Sequence, residues 1–207
     1  MKIPQIIIFD FDGVICDSVN IKTNAFVELY QSYGKGIQQA VKKYHLDHGG
    51  ISRHEKFRYY QESLLGKSAN QKQIDALANQ FSLIVKKKVV ASKYLPGVID
   101  FIRENKEKKQ FICTGTPQNE IRDIIEKKGI KLLFEGVYGS PRTKKEIIKI
   151  ILDKYSASPK DCVFFGDAMT DYNAAKAWSI PFIGIENPYT KFPKKTDLIK
   201  SFRQLNK

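Results

Sequence analysis

Ile6-Ile7-Ile8-Phe9-Asp10-Phe11-Asp12-Gly13-Val14-Ile15 is the stretch from which the rest of this chain is read. Four apolar residues run straight into a carboxylate. A second carboxylate follows two positions on, and then a glycine. The run is short, β-branched and aromatic, which fits a strand buried on both faces. In a parallel sheet, ligands gather beyond the carboxyl ends of the strands. Two acids two positions apart point the same way while the backbone stays extended. Their charges repel and shift each other's pKa unless something positive stands between them. A divalent cation held by oxygen ligands meets that need. The alternative is an aspartate pair in a polar turn, since Asp favours turns.

Working outward, 207 residues allow one generous domain or two small ones with a real core. A hydrophobic content of 42% with 28% charged residues fits a globular chain rather than a disordered one. No apolar run approaches the ~18 residues of a membrane span. No signal peptide is expected, because the N-terminus is already strand-like. Cys16, Cys113 and Cys162 are scattered and have no metal-ligand spacing, which suits reduced thiols and a cytoplasmic location. The formal charge of +13 raises the question of nucleic acid. The excess is mostly lysine spread along the chain, without a nucleic-acid motif, and suits a solvated surface that draws in small anions. The expected partner is a small phosphorylated metabolite, with no nucleic acid and no membrane, and a monomer is expected.

After the first strand, Asp17-Ser18 offers a helix N-cap, and Phe26, Leu29, Tyr30 and Tyr33 follow at roughly helical spacing, with Gly34 and Gly36 closing that helix. A second helical pattern covers residues 37–44. Ser52 with Glu55 forms a capping box, so Gly49-Gly50 is the loop before a third helix. Ile74, Leu77, Ala78, Phe81, Ile84, Val85 and Val89 mark a long amphipathic helix. A short helix near 98–102 follows Pro96-Gly97. Then strands and helices alternate: strands at 111–114, 136–139, 162–165 and 181–184, with helices at 117–128, 144–155 and 172–178. A last helix is expected over 195–203. Alternation of this kind predicts a doubly wound parallel sheet, and the helical block after strand one should sit over Asp10 and Asp12 like a lid.

Each strand end carries polar residues: Asp10-Phe-Asp12, Thr114-Gly115-Thr116, Ser140-Pro141-Arg142-Thr143-Lys144, and Gly166-Asp167 leading to Asp171. In a parallel sheet these ends share one edge. Asp10, Asp12 and Asp167 are oxygen donors suited to Mg²⁺. Thr114 brings a hydroxyl, Gly115 lets backbone N–H groups approach an anion, and Lys144 brings a fixed positive charge. Together they describe a socket for a phosphoryl group beside a metal. An aspartate there can attack phosphorus. Alternatives stand beside these readings. Thr114 is also a plausible strand end, Lys145 a rival for Lys144, and Asp171 a helix N-cap.

In Asp10-Phe11-Asp12-Gly13-Val14, Thr114, Lys144 and Gly166-Asp167-x-x-x-Asp171, in that order, the chain resembles the haloacid dehalogenase-like hydrolase superfamily, in its phosphoglycolate phosphatase and β-phosphoglucomutase-like branch. The resemblance spans the whole chain. It implies a Rossmann-like α/β core over residues 1–16 and 95–207, with an inserted α-helical cap over 17–94. It further implies that Asp10 is the nucleophile and that Asp12 is the general acid and then the base. Mg²⁺ would be held by Asp10, the Asp12 carbonyl and Asp167, with Asp171 in support, while Thr114, Gly115 and Lys144 grip phosphate.

An acid at Asp12 favours phosphate-ester chemistry, because an ester oxygen needs a proton on leaving. The cap loop at residues 49–53 should choose the substrate, with Gly50 entering the cleft and Arg53, Lys56 or Arg58 meeting a second anionic group or sugar hydroxyls. The expected activity is a Mg²⁺-dependent phosphatase for a sugar phosphate or a phosphoglycolate-like acid. A phosphomutase and a non-catalytic binding protein are the alternatives.

Overall fold

Ile6–Phe9 is buried throughout, and its side chains divide between two cores. Ile7 and Phe9 face a cluster containing Phe101, Phe165 and Phe202, while Ile6 and Ile8 face one built on Phe111, Ile147, Ile151 and Phe164. A strand buried on both faces belongs in the middle of a parallel sheet, and this one is. In the computed structural model, which describes residues 3–205, β1 (Ile6–Phe9) pairs in parallel with β2 (Lys109–Pro117) on one side and β4 (Cys162–Gly166) on the other. Residues 1 and 207, the outermost bounds expected for the core, lie outside the described residues.

With β3 (Gly136–Ser140), β5 (Phe182–Ile185) and β6 (Asp197–Ile199), the sheet has the order β3-β2-β1-β4-β5-β6, parallel at every pairing. The chain reverses its direction of travel across the sheet between β1 and β4, the position where doubly wound folds bind ligands. The fold is Rossmann-like α/β.

Four helices, α1 (Val19–Leu29), α2 (Gly34–Asp47), α3 (Arg53–Tyr59) and α4 (Gln71–Ala91), lie between β1 and β2, followed by α5 (Val98–Glu104). Their apolar faces meet on an aromatic cluster in which Phe26, Phe57, Tyr60 and Phe81 are buried, with the rings of Phe26 and Phe81 4.1 Å apart. The remaining helices, α6 (Gln118–Lys127), α7 (Lys144–Tyr155) and α8 (Met169–Ala177), alternate with the strands.

Three local readings change. Gly34 opens α2 instead of closing α1, which ends at Leu29. β2 runs three residues past Thr114, with a register shift between Cys113 and Pro117 that re-aims its end. The helix expected over 195–203 is instead the edge strand β6 and a short 3₁₀ turn at Phe202–Gln204. Three strand residues are too few for alternation to show, and Ile199 with Phe202 mimics helical spacing. No described helix is long and apolar enough to cross a membrane.

Candidate active site

β1 delivers Asp10 to the sheet edge, and the chain then turns so that Asp12 points elsewhere. Asp10 is buried; its Oδ1 accepts the Phe11 amide at 2.6 Å and its Oδ2 accepts from Lys144 Nζ at 2.7 Å. Lys144, on the first turn of α7, also donates to Asp171 Oδ1 at 2.5 Å. Asp167, at the end of β4, completes the group. Asp10, Asp167 and Asp171 each offer an oxygen within 4.8 Å of the others'.

One ammonium cannot balance three clustered carboxylates, two of them buried. Burial, then Asp10 and Asp171 beside it, pushes Asp167 well above the usual carboxylate range. Burial pushes Asp171 up to about 7 despite the pull of Lys144. Burial opposes the charge of Lys144, but Asp10 and Asp171 outweigh it and hold the ammonium protonated. The group is short of positive charge and made of hard oxygen donors, so these residues could hold a hard metal cation. Asp171 is not the N-cap residue of α8. It lies inside the first turn, where its Oδ2 accepts the Ala168 amide at 3.0 Å.

Asp12 has separate partners. Its carboxylate accepts from Ser18 Oγ at 2.6 Å, Lys22 Nζ at 2.5 Å and Thr116 Oγ1 at 3.1 Å. Burial pushes Asp12 up, but the charge of Lys22 and these three hydrogen bonds prevail and hold it below the usual carboxylate range. Ser18 is the N-cap residue of α1, yet its hydroxyl serves Asp12 and makes no capping bond.

The helical insertion closes over this edge through its 49–53 loop. Thr170 Oγ1 donates to the Gly49 carbonyl at 2.8 Å. Gly50 has φ +80°, and a Cβ there would lie 1.9 Å from Thr170 Oγ1, so a side chain is excluded. A Cβ on Gly115 would lie 2.6 Å from the Gly50 carbonyl oxygen, so the loop rests directly on the backbone after Thr114.

A cavity of about 80 Å³ lies beneath it, lined by Asp10, Asp12, Gly50, Arg53, Lys56, Thr114, Gly115 and Asp167 among others. Lys144 lines an adjoining groove with Gly50 and Gly115, and Asp171 is fully buried behind it. Arg58 is outside the cavity, partly exposed, and donates to Gln71 Oε1 and the Ala69 carbonyl.

Four further residues belong to this arrangement: Lys22, Thr170, Glu120 and Asn187. Glu120 of α6 takes both nitrogens of the Arg53 guanidinium at 2.8 and 2.5 Å. Asn187 Nδ2 donates to the Asp167 carbonyl at 2.8 Å. Asn187 follows β5 at the same sheet edge, so the rule of polar strand ends reaches it; nothing local marks the other three.

A hydrolase site on a doubly wound sheet is what these residues define, and the chain belongs to the haloacid dehalogenase-like hydrolase family, whose model matches residues 7–185. It is 26% identical over 197 residues to a phosphorylated carbohydrates phosphatase of Thermotoga maritima, covering 89% of this chain and 84% of that protein. It is 22% identical over 183 residues to phosphoglycolate phosphatase 1 of Pseudomonas aeruginosa, covering 85% and 67%. Its fold matches that of a β-phosphoglucomutase from Clostridium difficile with a TM-score of 0.80 at 21% identity, covering 98% and 93%.

Proposed function

We propose that this chain is a Mg²⁺-dependent phosphatase that hydrolyses a small phosphate monoester through an aspartyl phosphate on Asp10. The observation that carries this reading is the Asp10–Lys144–Asp171 arrangement with Asp167 beside it, of which Asp10 and Asp167 line the cavity that Thr114 and Gly115 also line. Two relatives named as phosphatases support it.

Asp10, the Asp12 carbonyl and Asp167, with Asp171 in support, would hold Mg²⁺, which when bound supplies positive charge beside the transferring phosphoryl group. Lys144 fixes the Asp10 carboxylate, and Thr114 with the Gly115 backbone receives the phosphate oxygens. Asp10 attacks phosphorus and the bond to the ester oxygen breaks. The leaving oxygen takes a proton from Asp12. Water then gives a proton to Asp12 and attacks phosphorus, and the bond to Asp10 breaks. Asp12 is held ionised at rest, ready to act as a base. To act first as the acid it takes up a proton from solvent, and it returns one after accepting a proton from the attacking water; Lys22 holds its carboxylate in place.

A cavity of about 80 Å³ favours a small metabolite. Three buried free cysteines suit a reducing compartment such as the cytoplasm.

The test is release of inorganic phosphate from an aryl phosphate with Mg²⁺. Asp10→Asn should lose at least about 10³-fold in kcat, since the nucleophile itself is gone. Equal rates for wild type and variant overturn the proposal. Formation of glucose 6-phosphate from glucose 1-phosphate, with no phosphate released, assigns a mutase instead.

A further inference from the structure

Three cationic side chains line the cavity, and two are already neutralised. Lys22 is paired with Asp12, and Arg53 is gripped by Glu120, with Ser82 on the same guanidinium nitrogen. Lys56 is different. It is buried, and among the described residues no carboxylate pairs with it. Its Nζ meets only the His45 ring at Nδ1, 2.8 Å away, and the His45 carbonyl at 3.3 Å, and lies 5.6 Å from the centre of the Phe26 ring.

A buried ammonium without a counter-anion is costly unless something supplies one. An ammonium carries three donors, and His45 accepts two, which leaves one for a ligand. Burial, then the repulsion of Lys56 and Lys22, holds His45 well below its ordinary pKa, so its ring stays neutral and accepts.

We propose that Lys56, oriented by His45, is the specificity site for a carboxylate on the substrate, so that the enzyme takes a phosphate ester of a short-chain acid with its phosphate at Asp10 and its carboxylate at Lys56. This rests on the phosphatase reading for the phosphate end of the cavity. A cavity of about 80 Å³ suits a short chain between the two anionic ends. One open donor on one point charge suits a carboxylate, whereas a second phosphoryl group carries about two charges and three acceptor oxygens and asks for more. Arg53, which the sequence offers for this task, already has its charge balanced by the bidentate bond to Glu120, whereas Lys56 has no such partner among the described residues. The lowered pKa of Lys56, brought to about 7 mainly by burial, agrees with an amine awaiting an anion.

Calorimetric binding in the Asp10→Asn background tests this without turnover. The probes are 2-phosphoglycolate and 2-hydroxyethyl phosphate, which differ in carboxylate against hydroxyl. With Lys56 present, phosphoglycolate should bind at least about tenfold tighter, the scale of a charge-assisted hydrogen bond in a buried site. Lys56→Met and Lys56→Gln should each bring that ratio close to one. A ratio unchanged by both variants, no preference in the parent, or no binding of either probe overturns the proposal. If wild type hydrolyses no ester while the Lys56-dependent ratio holds, the phosphatase reading falls and the carboxylate site stands. If hydrolysis proceeds and the ratio is flat, the reverse follows.

Discussion

Lys56 holds a charge where the fold alone gives it little reason to, and its cost can be read from pH. The groups facing it are His45 on α2, Lys22 on α1 and Lys144 on α7, with Asp12 and Asp167 at the sheet edge. Its pKa is about 7 in the folded chain, against an ordinary value of 10.5. Between those values the unfolded chain binds more protons, so stability rises with pH across that window. Below it the full penalty applies; above it none remains. Lys56→Met removes the charge and keeps most of the volume. We expect the variant to be more stable than wild type at pH 6, by on the order of 5 kcal/mol given 1.36 kcal/mol per pKa unit, with the gap closing toward pH 10. Urea denaturation across that range measures it. A variant less stable than wild type at pH 6 would mean that Lys56 stabilises the fold.

At the scale of elements, the contact to test is α3 on α6. Arg53 and Glu120 are buried and bonded through two nitrogens and two oxygens, and Ser82 of α4 joins them. Glu120→Ala leaves Arg53 uncompensated, and we expect a loss of about 3–5 kcal/mol in chemical denaturation, as for one half of a buried pair. A loss below about 1 kcal/mol would place the pair with surface ion pairs. The same pair marks where sequence reading stops. β1, the glycine-led N-cap at Ser52 and the polar strand ends are legible because their signals are local and periodic; of the expected capping box only the Ser52 half forms, its hydroxyl accepting the Glu55 amide. Arg53 and Glu120 are 67 positions apart, and Thr170 meets Gly49 across 121. Nothing in either stretch announces the other. Lys22 sits only ten positions from Asp12, yet it reads as an ordinary charged helix residue until α1 turns it onto the acid.

Across the whole molecule, 35 basic residues face 22 acidic ones, giving a formal charge of +13. The sheet edge adds an opposing term, since Asp10, Asp12, Asp167 and Asp171 concentrate negative charge where a phosphate ester must arrive. A dianionic substrate therefore meets long-range attraction and short-range repulsion, the latter relieved by Lys144, Lys22 and a bound cation. The long-range part is the one that salt removes, because the Debye length shrinks from about 30 Å at 0.01 M to about 8 Å at 0.15 M. The pairs inside the site are buried and are screened far less. We expect kcat/KM for a dianionic ester at saturating Mg²⁺ to fall several-fold between about 10 mM and about 200 mM salt, while kcat stays nearly constant. Initial rates at constant pH measure both. A monoester carrying less negative charge should show a smaller slope. If kcat falls as steeply as kcat/KM, salt is acting on the buried carboxylate and lysine group itself. If neither moves, the surface lysines pair with their own neighbours and contribute no field at the cavity.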